Sequence, residues 1–223
     1  LQKEQGIKSQ PFPIMIKSLL AIAVLGLGAL TSAHANLVTN GTFEATAVSS
    51  GTYVTLGSIP GWTGAPTIEI QNHIAGSPFA GNNFVELDST ANSAMYQDIP
   101  TTAGLTYTVS FAYSPRPGVA ASSNGINFLW NNALVQTIAM SGLGLADTAW
   151  TVFSFNLLAT GATSRIGFAA TGTSDSLGGY LDNVTANGLS AGTAVIPEPA
   201  TISLLGAGLL ATALGARRRR HAR

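Results

Sequence analysis

Between residues 36 and 196 the side chains that could do chemistry are mostly acids. Glu44, Glu69, Glu86, Asp88, Asp98, Asp147, Asp175 and Asp182 stand against Arg116 and Arg165, a formal balance of −6. Such a surplus suits a hard divalent ion, which takes about 6–8 oxygen ligands, and calcium is the metal to consider. No D-x-D-x-D-G loop of EF-hand type occurs. Glu86 and Asp88, at i and i+2, share one face of a strand. That spacing fits a second calcium site or a glycosidase-like carboxylate pair, but ordinary solvent-facing acids are the expectation. The region has one histidine, His73, no cysteine and no G-x-S-x-G elbow, so nucleophilic catalysis lacks its parts. His73 follows Gln71-Asn72 at a strand end and reads as a solvated loop residue. An acidic domain repels phosphate backbones, which argues against nucleic acid as a partner.

Glycan contact needs aromatic platforms with polar groups beside them. Tyr113 and Trp130 flank the longest connection, residues 114–125 (SPRPGVAASSNG), and Arg116 sits there between two prolines. Loops on a rigid scaffold are where binding residues concentrate. Tyr113, Arg116 and Trp130 are therefore the expected contact patch, the alternative being a variable loop over core aromatics. Trp62 and Trp150 are expected in the core.

These residues must be positioned by strands. Leu105 to Tyr113 (LTYTVSFAY) alternates apolar and polar residues strictly, the mark of a strand with one buried face. Similar runs cover 53–56, 67–71, 84–87, 94–99, 126–130, 133–140, 150–158, 165–170 and 179–186. Turn residues separate them, among them Pro60-Gly61, Pro100 to Gly104, Pro115 to Gly118 and Gly178-Gly179. Asn131-Asn132 predicts a tight hairpin, because asparagine tolerates positive φ. About ten strands without helical periodicity predict an all-β fold, a single antiparallel β-sandwich over 36–190.

The two ends read as addresses. Lys17, the apolar run from Leu19 to Leu30 and the A-x-A site Ala33-His34-Ala35 form a secretory signal over 15–35, cut to leave Asn36. At about 1.5 Å per residue this run is too short to span the bilayer, though a retained anchor is the alternative. Residues 1–14 resemble neither signal nor domain, and Met15 is the expected start. At the other end, Pro197-Glu198-Pro199 precedes an uncharged apolar stretch from Ala200 to Ala216 and a basic cluster from Arg217. The stretch predicts a short transmembrane helix with its basic tail in the cytoplasm. The prolines hold the preceding chain extended, as a membrane-embedded protease needs.

Tripeptide, short helix and arginine cluster in this order resemble the PEP-CTERM sorting domain, over residues 191–223 with its linker. The resemblance implies recognition of Pro197, Glu198 and Pro199 by an exosortase, in a Gram-negative bacterium that makes exopolysaccharide. A plain C-terminal membrane anchor is the alternative. The middle resembles galactose-binding-like jelly rolls of carbohydrate-binding modules. The resemblance rests on the opening strand Asn36-Leu37-Val38-Thr39-Asn40-Gly41-Thr42-Phe43-Glu44, Pro60-Gly61-Trp62, Tyr96-Gln97-Asp98-Ile99, Gly104-Leu105-Thr106-Tyr107 with Phe111, and the closing Leu181-Asp182-Asn183-Val184. It implies that Glu44 and Asp182, on neighbouring first and last strands, share a structural calcium with backbone carbonyls; two surface acids are the alternative. The expectation is a non-enzymatic exported surface or matrix protein. Its expected partners are signal peptidase and the secretion machinery, exosortase, the membrane before processing, and exopolysaccharide. A purely structural role or a polysaccharide hydrolase remain as alternatives.

Overall fold

A computed structural model describes residues 35–188. Ala33, the sorting tripeptide 197–199 and the helices expected over 19–30 and 200–216 lie outside the described residues. Among the described residues no helix is long and apolar enough to cross a membrane.

Ten strands follow one another: β1 (Thr52–Ile59), β2 (Trp62–Asn72), β3 (Phe84–Glu86), β4 (Ala94–Pro100), β5 (Thr106–Ser114), β6 (Gly125–Trp130), β7 (Ala133–Ile138), β8 (Thr151–Leu158), β9 (Thr163–Thr171) and β10 (Tyr180–Gly188). Every run expected from alternation is a strand. They pair antiparallel in the order β7-β6-β9-β4-β2-β3-β10-β5-β8, with β1 on β2. Asn131 and Asn132 join β6 to β7 with φ of 51° and 66°, the mirror-image turn that matches strand twist.

The path folds into two layers because β2 serves both. Residues 63–65 pair with β4, whereas residues 69–71 pair with β3. The layers then meet through rings on strands that share no ladder. Phe111 of β5 lies 5.0 Å from Phe128 of β6 and 4.9 Å from Phe168 of β9, and Phe128 lies 5.1 Å from Phe155 of β8. Such pairs add about 0.5–1.5 kcal/mol each beyond their burial. The result is the antiparallel jelly-roll sandwich that was expected, with Trp62 in its core.

The opening segment departs from expectation. Residues 36–44 form turns, not a strand, because Asn40 and Phe43 take φ of 51° and 61°. The segment nevertheless lies beside β10, as first and last elements of the fold. Leu37 N donates to Ala186 O at 2.9 Å and Val184 N to Gly41 O at 2.8 Å. A Cβ at position 41 would stand 2.0 Å from the Val184 carbonyl oxygen, so glycine is required there. Gln97 fixes the segment from β4, accepting from Thr39 N at 2.7 Å and donating to Thr39 O at 2.9 Å.

Strict alternation ends at one place. From Ile68 in β2, throughout β3, from Phe111 in β5 and over the first residues of β10, both faces are buried. There the outer face of the second layer is roofed by loops. Trp150 donates to Ser77 O at 2.9 Å and packs edge-on against Phe79 and Phe84, while Tyr180 donates to Ala75 O at 3.1 Å.

Candidate functional site

Strand register places a polar rung under this roof. Thr55 pairs with Glu69, Glu69 with Glu86, Glu86 with Tyr180 and Tyr180 with Ser114, which crosses β1, β2, β3, β10 and β5 in one line. Paired residues project to the same face. Tyr53 and Gln71 pair on the next rung of that face. The intervening Ile68, Ile70, Val85 and Leu181 point into the core.

Glu86 is the centre of the rung and is wholly buried. Its carboxyl accepts from Arg116 Nη1 at 2.6 Å, from Gly178 N at 2.6 Å and from the Gln71 amide. Burial pushes it up to about 8 against the pull of Arg116, and the charges of Glu69 and Asp88 push the same way. The Arg116 guanidinium also stands 5.9 Å from the centroid of the Tyr180 ring, within the range of a cation–π contact. Burial raises the Tyr180 hydroxyl far above its ordinary value. Asp88 binds the roof itself, accepting from Asp175 N at 2.9 Å, Ser176 N at 3.1 Å and Ser174 Oγ at 3.0 Å.

In front of this cluster opens a pocket of about 290 Å³, walled by Tyr53, Thr55, Glu69, Gln71, Ile74 and Arg116 among others. That size is at the lower end of small-molecule sites, about 300–1,000 Å³. Gln71 donates to Glu69 Oε1 at 2.9 Å, but its own Oε1 is buried without a hydrogen-bond partner among the described residues. A buried acceptor left unmatched costs roughly 1–3 kcal/mol. Tyr53 and Ile74, 53% and 45% exposed, supply the apolar rim.

The residues singled out in the sequence are dispersed by the structure. Arg116 lines the pocket. Tyr113 lies in the core, its hydroxyl donating to Asn124 O at 2.8 Å and pushed up to about 12 by burial. Trp130 is buried as well and donates to Leu158 O at 3.0 Å. Neither ring offers a surface to a glycan, because each points inward on its strand. Glu86 and Asp88 are buried too, contrary to the solvent-facing acids expected; the roof covers their face. His73 is exposed, as expected of a strand end. Glu69 and Gln71 were not singled out, although the alternation Glu69-Ile70-Gln71 marks them as facing away from the core.

Glu44 and Asp182 do meet, on one loop. Glu44 Oε1 accepts from Asn82 N and Asn83 N, both at 2.8 Å, and Asp182 Oδ2 accepts from Phe79 N at 2.9 Å and Ala80 N at 2.8 Å. Gly81, between the two donor pairs, has φ +70°, and a Cβ there would stand 2.4 Å from Glu44 Oε1. Burial pushes Asp182 up to about 7 despite its backbone donors, and the nearby Glu44 charge adds to the rise. Neither acid forms an ion pair among the described residues. No cluster of three or more metal-ligating side chains occurs among those residues, so carbonyls would have to complete a site.

Residues 195–220 match the PEP-CTERM protein-sorting motif. The chain carries an exosortase sorting signal. The motif marks an exported protein, anchored in the membrane before it is processed. Over 174 residues, 74% of this chain, the sequence is 34% identical to the multifunctional-autoprocessing repeats-in-toxin of Vibrio cholerae serotype O1, and it spans 3% of that protein's length. An apo form cyclase from Fischerella sp. shares the fold, with TM-score 0.52 and 13% identity over 69% of this chain and 95% of that one. A carbohydrate-binding module, TmCBM61 in complex with β-1,4-galactotriose, aligns with TM-score 0.46 and 16% identity over 68% of this chain and 97% of that one.

Proposed function

We propose that this is a secreted surface or matrix protein that binds saccharide in the pocket beside Arg116 and carries out no reaction on it. A signal peptide over 15–35 sends it out, signal peptidase cuts after Ala35, and exosortase acts at Pro197-Glu198-Pro199. The exopolysaccharide of a biofilm is its setting, and calcium at Glu44 and Asp182 braces the loop that roofs the site. One observation carries the binding role. Gln71, whose buried Oε1 has no hydrogen-bond partner among the described residues, lines a pocket that also presents the Glu69 carboxylate and the Arg116 guanidinium. The burial of Glu86 and Asp88 supports a non-hydrolytic reading, since a glycosidase must present both carboxyls to the bond it breaks.

Residues 36–188 contain all ten strands and the core, so the fragment 36–195 is the material for a glycan array. Selective retention of a saccharide class supports binding; uniform absence of retention assigns the protein a purely structural role. For sorting, replacing residues 197–199 by alanine leaves an uncut, membrane-held precursor, read by the mass of the product. Normal processing of that variant refutes the assignment.

A further inference from the structure

We propose that the pocket selects a single neutral sugar ring and rejects both uronates and amino sugars. The inference rests on the saccharide-binding reading and adds the chemical class.

The argument is one of donors and acceptors. Glu69 and Gln71 line the pocket; the Glu69 carboxylate and the Gln71 Oε1, buried and without a partner among the described residues, are acceptors that ask for a hydrogen. Arg116 is a donor only; beyond its bond to Glu86, its guanidinium finds no acceptor among the described residues, so it asks the ligand for a lone pair. A sugar carboxylate accepts but cannot donate. It would answer Arg116, leave Gln71 Oε1 unmatched and face the charge of Glu69. An ammonium donates but cannot accept, and it would face Arg116. A hydroxyl does both, so vicinal hydroxyls on one ring can answer all three groups.

The charge around the site agrees. Glu69 of β2 and Asp88 after β3 both act on Glu86 here, against the single cation Arg116, whose Nη1 is already bonded to Glu86. The pocket, about 290 Å³, has room for a sugar ring. Tyr53 stands at the rim across from Gln71 in register, and its exposed ring can cover the apolar face of a pyranose whose hydroxyls point inward.

The test uses the 36–195 fragment and matched oligosaccharides whose terminal unit is a hexose, the corresponding uronic acid or the corresponding 2-amino sugar, followed by titration calorimetry at pH 7. The hexose-ended ligand should bind at least tenfold more tightly than the other two. Glu69→Gln should weaken hexose binding about tenfold and narrow the gap to the uronate. Tyr53→Ala, at an exposed position that leaves folding intact, should weaken it severalfold. Uronate or amino-sugar binding as tight as hexose binding overturns the inference while leaving the saccharide role standing. So does hexose binding that neither variant alters. Failure of every saccharide to bind removes both.

Discussion

Among the described residues each layer of the sandwich carries one arginine–carboxylate pair on its outer face, and the two pairs behave oppositely. On the first layer, Arg165 of β9 grips Asp98 of β4 with two bonds of 2.7 Å and lies 3.9 Å from the centroid of Tyr96. Its side chain is 33% exposed and that of Asp98 44%. The arginine holds Asp98 below the usual carboxylate range. On the second layer, Arg116 meets a glutamate with no exposure, and burial overrides the arginine and pushes Glu86 up to about 8. The pairing chemistry is the same in both. Dehydration decides the sign, and it leaves Arg116 in the wall of a pocket with its carboxyl partner buried behind it.

The largest effect that tests this contrast is in pH. A raised pKa stabilises the fold below the unfolded value and loses that contribution as pH climbs through the folded one. Glu86 is raised from 4.5 to about 8 and Asp182 from 3.8 to about 7, so stability to urea should fall by several kcal/mol between pH 5 and pH 9. Glu86→Gln, a mimic of the protonated acid, should flatten much of that fall. A stability that rises over this range would break the comparison.

Removing the buried cation comes next. Arg116→Met should cost about 3 kcal/mol at pH 9 and less at pH 6, where the carboxyl keeps its own proton. Calcium should raise the melting temperature by about 5–10 °C at saturating concentration. EDTA should reverse the gain and Asp182→Asn abolish it; a melting temperature indifferent to EDTA removes calcium from Glu44 and Asp182. The smallest effect belongs to the exposed pair, where Asp98→Asn should cost less than about 1 kcal/mol and fade in high salt.

Strand positions were legible because a sandwich strand writes its buried face into the chain at every second residue, as in Tyr107, Val109, Phe111 and Tyr113. The site was not. Glu69, Gln71 and Glu86 occupy the alternate positions, where polar residues on an open sheet would look the same. What makes them different is the roof, and its docking depends on contacts far apart in sequence, such as Trp150 with Phe79 and Asp88 with Ser174. Tyr113 and Trp130 misled for a related reason, since they border a long loop yet point beneath it. Glu44 and Asp182 were legible through a motif resemblance, and the loop that unites them, with Gly81 at its bend, was not.

The strand that ends the described chain is not at a margin. β10 lies between β3 and β5, and the opening segment leans on its far half through Leu37 and Gly41. Tension applied through residue 188 must therefore slide an interior strand past bonded neighbours, loading many hydrogen bonds in parallel instead of unzipping them one by one. A module hung by that end on a moving cell would hold its shape under drag.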